Sequence, residues 1–506
     1  MSDDKVIQVY KLNEAMLKLV GSPDFALEIS EAFSFLVAGA KYTPMFRAGK
    51  WDGFIRLFNI GSKTLPCGLY SRLLEIANER GYAVLPRLNP DNPGYGLPGN
   101  SESELQYSEI KEYMDSLNLH GGGSKLDIRD YQYNAVYLAL STKQGILKSA
   151  TGSGKSMIVY SIARYITEEL DGRMLIIVPT IGLTTQFLGD FKDYSSDNGY
   201  NVDGSVHLIS GGSDKTVRKK IVISTFQSLK NETPDFFNSF TCILTDEGHK
   251  ITSASFKAIY GKATEVKYRL ACTGTLHDLK CNVLEMIALT GPVHDIASAK
   301  DLISAGQLVP LKIKGIQLNY PEDICKAFKK VEYADEIGWI TNNPKRNNFI
   351  AKLAVKTKGT TLVLFRFIEQ GQKIYEKIKE LSPPDHPVYL VDGSVSKEDR
   401  ESIRLAANAE VATLVFSFGT SAAGINLPAI ENIIDAHPTK SKLTFLQAIG
   451  RGLRLKEGKT HCNLFTIGDN MTYKKKPNTT FTHFGERLRL LTEEGYQFDI
   501  VHVDFK

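Results

Sequence analysis

At 506 residues, with 42% hydrophobic, 10% aromatic and 23% charged side chains, the chain is long enough to bury several cores. Those proportions exclude disorder, a fibrous repeat and a disulfide-stapled miniprotein, and no apolar run approaches the roughly 18 residues of a membrane-spanning helix. The net charge of +4 is small, but residues 1–120 carry 12 Lys+Arg against 15 Asp+Glu and the rest 49 against 42, so attraction for a polyanion comes mainly from the larger C-terminal part.

The opening residues, MSDDKVIQVYKLNEAM, are mixed and acidic rather than charged-then-apolar, and the expected location is the cytoplasm, with no membrane association. The six cysteines (Cys67, Cys242, Cys272, Cys281, Cys325 and Cys462) form no CxxC and lie at no zinc-finger spacing from a histidine, so buried free thiols are expected.

In chain order, residues 1–120 read as a small α+β accessory domain. Within it, Arg47, Lys50 and Arg56 surround Trp51 in a segment expected as a β-hairpin turning at Ala48-Gly49. Cations beside an aromatic suit phosphate contact and base stacking. Packing of Trp51 and Phe54 into a small core is the equally weighted alternative. Asn89–Gly123 begins and ends rich in Pro, Gly, Ser and Asn around one amphipathic segment near Leu105–Leu119, which places a domain boundary near Gly121–Lys125.

From there GILKSA, MLIIVPT, IVIST, CILTDE and YRLACTG are short β-rich runs, each followed by helical periodicity or turn residues. Alternating strands and helices imply a parallel sheet covered on both faces, expected over residues 121–305. The alternation pauses over 306–345, expected as a connection. It resumes with TLVLF, PVYLVDG, ATLVFS, ENIIDA and HCNLFTIG as a second sheet of the same class over 346–506. The amphipathic FGERLRLLTEEGY near the end is expected to cap this second lobe. The fold class is α/β.

Ser149-Ala-Thr-Gly-Ser-Gly-Lys-Ser156 lies directly after an apolar run and before the periodic MIVYSIARYI. A phosphate chain needs backbone N–H groups pointing inward, and Gly152 and Gly154 tolerate the angles that allow this. Ala150, Thr151 and Ser153 complete the loop, and the following helix adds its positive end. Lys155 can reach the outer phosphates of a nucleotide, and the Ser156 hydroxyl can ligate Mg²⁺.

Thr245-Asp-Glu-Gly-His249 ends the apolar run CILT, about 90 residues further on. Alone, an acidic pair after a strand is an ordinary solvated turn. Beyond a phosphate loop it fits a nucleotide site, with Asp246 holding Mg²⁺ and Glu247 orienting and deprotonating the attacking water. In Gln447-Ala-Ile-Gly-Arg-Gly-Leu-Arg454, Arg451 and Arg454 share one face of a helix, where guanidinium groups could stabilise phosphoryl-transfer charge.

These segments, in this order, resemble the motifs of a superfamily 2 helicase with two tandem RecA-like lobes that sandwich ATP. Arg129-Asp-Tyr-Gln132 resembles the adenine-recognising segment, with Gln132 on the base edge and Tyr131 near the ring. Val178-Pro-Thr180, Thr184-Thr-Gln186 and Ser224-Thr-Phe-Gln227 resemble first-lobe segments holding a nucleic-acid backbone, with Thr180, Thr185 and Thr225 as candidates. Asp246-Glu-Gly-His249 falls in the DExH subgroup, and Thr273-Gly-Thr275 resembles the motif coupling hydrolysis to lobe movement. Leu364-Phe-Arg366 and Ser417–Pro428, which holds Thr420 and Gly424, resemble strand-tracking and nucleotide-sensing motifs. Asn426 stands where many members have Asp. The resemblance implies a catalytic set of Lys155, Asp246, Glu247, His249, Gln447, Arg451 and Arg454 acting with ATP and Mg²⁺.

Outside these motifs, Tyr42–Phe58, Asn343–Ile350 and Pro438–Lys442 resemble the phage recombination helicases within the superfamily. That likeness implies a 3′→5′ motor acting on forked or branched DNA, and the motor unit itself needs only one chain. An RNA helicase, a duplex-DNA translocase and a non-catalytic ATP-switched clamp remain the alternatives from the residues alone.

Overall fold

The computed structural model describes residues 5–37, 39–99, 105–209, 219–247, 254–274, 276, 280–418, 427–437, 449–450 and 452–505. The chain divides into two compact units, one of Met1–Ser149 with Gly154–Ala297 and one of Ala150–Ser153 with Ser298–Lys506.

At the start of the first unit, strands Val6–Lys11 and Met16–Val20 pair antiparallel, with Thr64–Pro66 and Ala83–Arg87 at the two edges. Alternate residues Ile7, Val9, Leu17 and Leu19 are buried, as period-two strands with one covered face require. The cover is Phe25 and Ile29 of helix Pro23–Ala32 and Leu73 and Ile76 of helix Tyr70–Arg80. This region packs on the sheet that follows it. Gln144 Nε2 donates to the Glu14 carbonyl at 2.9 Å, and the Glu14 N–H donates to the Thr264 carbonyl at 2.9 Å. A Cβ at Gly68 would lie 1.9 Å from the Ile287 carbonyl oxygen, so only glycine fits there.

The hairpin expected at Ala48-Gly49 does not form. Residues Pro44–Arg47 make a helical turn, because Pro44 presets its first residue and the Thr43 hydroxyl accepts the Phe46 N–H at 3.4 Å. Gly49 follows with φ +66°, and strand Phe54–Arg56 pairs with Ser34–Leu36 instead.

The first large sheet is parallel throughout. Its spatial order is Val206–Ile209, Ile221–Thr225, Met174–Val178, Cys242–Thr245, Tyr268–Thr273, Gln144–Ser149, Val293–Ala297. Met174–Val178 is buried along its whole length. Ile176 and Val178 join one core, with helices Asp130–Thr142, Lys155–Glu168 and Ile181–Tyr194, while Leu175 and Ile177 join the core on the other face. The two edge strands, Val206–Ile209 and Val293–Ala297, carry His207, His294 and Asp295 and gave no apolar run.

The second sheet is also parallel: Val388–Val391, Thr413–Ser417, Thr361–Phe365, Asn432–Asp435, Cys462–Asn470, Leu311–Asn319, Phe498–Asp504. Counted along each lobe, both sheets have the strand order 3-4-2-5-6-1-7. Leu311–Asn319 therefore occupies in the second sheet the place that Gln144–Ser149 occupies in the first, although it lies in the stretch expected as a connection. Its LKIKGIQLN pattern, with two lysines and a glycine, hides a strand whose Ile313, Ile316 and Leu318 are buried.

The C-terminal helix Thr479–Glu493 packs its Phe484, Leu490 and Leu491 inward. Buried Glu336 anchors its start by accepting from the N–H groups of Thr479 (3.1 Å) and Thr480 (2.8 Å).

Candidate nucleotide site and nucleic-acid surfaces

The strand Gln144–Ser149 runs into a tight turn in which the Ser153 N–H donates to the Ala150 carbonyl at 3.2 Å. Ser153 is fully buried, while Thr151 and Gly152 are open to solvent to differing degrees. Gly152 and Gly154 adopt φ +90° and +83°, angles that side chains rarely adopt. Helix Lys155–Glu168 starts at once, with Gly154 as its N-cap, so its unpaired N–H groups face the turn. Lys155 Nζ donates to the Ser149 carbonyl at 2.9 Å.

The Arg129–Gln132 segment closes on this loop. The Gln132 Oε1 accepts the Arg129 N–H at 3.0 Å, capping helix Asp130–Thr142, and its Nε2 faces Gly154, where a Cβ would lie 2.5 Å away. Arg129 Nη1 donates to the Tyr131 hydroxyl at 3.0 Å. The expected base-reading amide thus lies against the loop.

Strand Cys242–Thr245 lies two places from Gln144–Ser149, which at about 4.8 Å per strand sets their ends about 10 Å apart. Asp246 is buried, and its N–H donates to the Ile177 carbonyl at 2.9 Å. Glu247 has φ +55°, a left-handed conformation costly for a residue with a Cβ. Cys272, on the intervening strand, registers this convergence. Burial and the Asp246 carboxylate push its thiol up, Lys155 opposes them, and Glu247 adds to the rise.

Three further contacts involve residues outside the expected site set. The Tyr194 hydroxyl lies 2.7 Å from Ser156 Oγ. Lys459 Nζ donates to the carbonyls of Gly452 (2.8 Å), Pro428 (2.9 Å) and Arg454 (3.0 Å), and burial pulls its ammonium down to about 8. Arg346, fully buried, bridges Asp469 at 2.8 and 3.0 Å and donates to the Ala436 carbonyl at 2.9 Å.

Among the expected strand contacts, Thr180 and Thr225 sit at or just beyond the carboxyl ends of neighbouring strands. Both are helix N-caps, accepting from the Leu183 and Ser228 N–H groups at 3.4 Å. Thr225 is nearly buried and shapes its loop, whereas Thr185 is exposed on helix Ile181–Tyr194. Arg366 is exposed at the end of Thr361–Phe365. Arg47 and Lys50 are exposed, and Trp51 is half-buried with its indole N–H on the Phe54 carbonyl at 2.9 Å. Arg56 is paired with Asp52, whose carboxyl that guanidinium holds at about 2. His249, Thr275, Thr420, Gly424, Gln447 and Arg451 lie outside the described residues.

Three family profiles match in chain order. They are "DNA helicase UvsW, N-terminal" over residues 7–86, "Type III restriction enzyme, res subunit" over 125–278 and "Helicase conserved C-terminal domain" over 345–456. A phosphate loop and an acidic strand end in one parallel sheet, followed by a second sheet of the same strand order, define an ATP-hydrolysing helicase of superfamily 2. The ATP-dependent DNA helicase UvsW of Enterobacteria phage T4 is 31% identical over 463 residues, covering 90% of this chain and 88% of that protein. The chain belongs to the UvsW family of DNA helicases.

The crystal structure of T4 UvsW aligns over 99% of this chain and 100% of that one, with a TM-score of 0.52 and 28% identity. A DNA 3′-5′ translocase, XPB2 of Sulfurisphaera tokodaii, is 27% identical over 294 residues, covering 55% of this chain and 62% of that protein. Among the described residues, no helix is long and apolar enough to cross a membrane.

Proposed function

We propose that the protein spends ATP to remodel branched DNA as a monomer in the cytoplasm, unwinding forks and R-loops, regressing stalled forks and migrating Holliday junctions. The observation that most supports this substrate class is the N-terminal region, which matches the UvsW N-terminal profile over residues 7–86 and presents exposed Arg47 and Lys50 beside Trp51. A domain specific to this family, rather than the motor common to all superfamily 2 proteins, is the place to read junction shape.

The donor set fits the nucleotide and its cation. Hydroxyl and carboxylate oxygens suit a hard ion, so Ser156 and Asp246 would hold Mg²⁺, which when bound neutralises the outer phosphates. Lys155 and the N–H groups from Ala150 to Gly154 bind those phosphates. Gln132, with Tyr131 and Arg129, holds the adenine end, and Gly424 completes the nucleotide contacts. Glu247 orients the attacking water and takes its proton. His249 completes the acidic box, and Gln447, Arg451 and Arg454 offset the charge that develops on the transferred group.

DNA is held through Thr180, Thr185, Thr225, Thr420 and Arg366 by its phosphates, with Arg47, Lys50, Trp51 and Arg56 at the junction, so shape rather than sequence decides preference. The test is steady-state ATPase with no nucleic acid, single-stranded DNA, linear duplex, a fork and matched RNA, alongside Glu247→Gln. Strongest stimulation by the fork, lost in the variant, is expected. Stimulation by RNA alone would make it an RNA helicase, equal stimulation by linear duplex and fork would remove the branched preference, and no turnover would make it a clamp.

A further inference from the structure

In the second unit a cavity of about 470 Å³ opens at the carboxyl ends of two neighbouring strands, Thr361–Phe365 and Asn432–Asp435. Open parallel sheets place their ligands at such ends. Tyr333 and Ile337, from helix Tyr333–Asn342, and Phe367, at the start of helix Ile368–Leu381, give it apolar walls.

Of its polar lining, Gln370 and His437 are almost fully buried, each 1% exposed, and buried Thr341 gives its hydroxyl to the Ile337 carbonyl at 2.8 Å, while Asn342, Arg366 and Glu369 complete the wall. Gln370 Nε2 reaches the Ala436 carbonyl at 3.4 Å, but among the described residues its Oε1 has no partner, and neither ring nitrogen of His437 has one. Three buried polar atoms without partners in one cavity are rare in folded proteins and point to a ligand that supplies their bonds. Burial, with the cations of Arg346, Arg366 and Arg487 nearby, pulls His437 down to about 3, so its ring is neutral and offers one donor and one acceptor. The Phe367 ring meets it edge-on at 5.4 Å, and Arg366 lies exposed at the rim.

A planar ring with donors and acceptors on one edge, stacked by aromatics and carrying a phosphate, is what these groups recognise together. We propose that this cavity takes one extruded nucleobase of the bound strand, its face against Tyr333 and Phe367, its edge on Gln370 and His437, and its phosphate on Arg366. The inference rests on the reading of Arg366 as a strand contact. A neutral imidazole can give or accept, so the pocket accommodates any base and selects none strongly.

The test uses the full chain and two labelled oligonucleotides of equal length, one of ordinary thymidines and one with abasic sugars throughout, in fluorescence anisotropy at fixed salt. Wild type is expected to bind the base-bearing strand about tenfold tighter, as stacking and edge contacts to one base imply. Phe367→Ala, at a residue 44% exposed, and His437→Leu should remove that preference while leaving the abasic affinity as it was. Equal wild-type affinity for both strands would overturn the pocket and leave the phosphate reading standing. A preference that survives in both variants would place base contact elsewhere and also overturn it. Unchanged abasic affinity in Arg366→Ala would overturn the underlying strand reading instead. Competition by free thymidine monophosphate at concentrations that spare strand binding in Phe367→Ala would assign the cavity to a free nucleotide rather than to the strand.

Discussion

The hydroxyl oxygens of Ser156 and Tyr194 lie 2.7 Å apart, joining the start of the phosphate-loop helix to the end of helix Ile181–Tyr194. Burial, with Asp190 beside it, pushes the phenol of Tyr194 far up, so it stays neutral. If the Ser156 proton points to Tyr194, its lone pairs are turned outward for a cation, the orienting role that outer partners of metal ligands play. Tyr194→Phe should weaken Mg²⁺-dependent nucleotide binding about tenfold and leave Mg²⁺-free binding unchanged, read by a fluorescent ATP analogue titrated with and without the cation. Equal loss in both conditions would mean that Tyr194 only packs.

Glu247 combines a left-handed φ of +55° with the proposed role of base, and the two can be separated. Glu247→Gln keeps the strain and should retain nucleotide binding while turnover falls by about 10²- to 10⁴-fold, since an amide takes no proton. Glu247→Gly should lose turnover equally but unfold at the same or a higher temperature, because glycine adopts that angle without cost. A lower melting temperature in Glu247→Gly would show that its side chain supports the fold.

Arg346 and Asp469 form a fully buried pair, and the same guanidinium fixes the Ala436 carbonyl next to His437. Removing one partner strands the other charge, so Arg346→Ala should destabilise the second lobe by about 3–5 kcal/mol in urea unfolding. Arg346→Met combined with Asp469→Leu should recover much of that loss. A double variant as unstable as the single one would show that hydrogen bonds, not the stranded charge, carry the cost.

Lys459 ties together the backbone at Pro428, Gly452 and Arg454. Lys459→Met leaves three carbonyls without that donor and should lower kcat several-fold with nucleotide affinity nearly unchanged. The amine also has a pH signature. Its folded pKa of about 8 lies below the ordinary 10.5, so the unfolded chain binds the extra proton and stability should rise with pH across that window. Denaturation midpoints of wild type and Lys459→Met at pH 7.5 and 10 check this, since the variant should lack that part of the rise.

The sequence made the central strands of both sheets legible because they are buried on both faces, as in LIIV and TLVLF. It hid the strands at Val206–Ile209, Val293–Ala297, Leu311–Asn319 and Phe498–Asp504, whose polar residues break the apolar run. At Pro44–Arg47 the Thr43-Pro44 pair starts a helical turn where a hairpin is expected, because a capping hydroxyl and a preset proline decide the local backbone. The segments expected as phosphate loop and acidic box stand out because such chemistry needs fixed residues at fixed spacing, and both fall at carboxyl ends of strands in one sheet. Tyr194 and Arg346 act through contacts 38 and 123 residues away, which no local pattern encodes, and Lys459 joins the nearby Gly452 and Arg454 carbonyls to that of Pro428, 31 residues away.

The shared 3-4-2-5-6-1-7 order has a numerical consequence. Where the first sheet leaves Gln144–Ser149 through glycines, its counterpart Leu311–Asn319 ends in Asn319-Tyr320-Pro321, and Asn319 Oδ1 accepts from Gln317 at 2.8 Å and Asn470 at 3.0 Å. Side-chain amides close the strand end whose twin runs into the glycine turn. The two halves thus share one frame with different strand ends, and the expected stoichiometry is one nucleotide per chain in each cycle, which the nucleotide retained by the full chain at saturation would check.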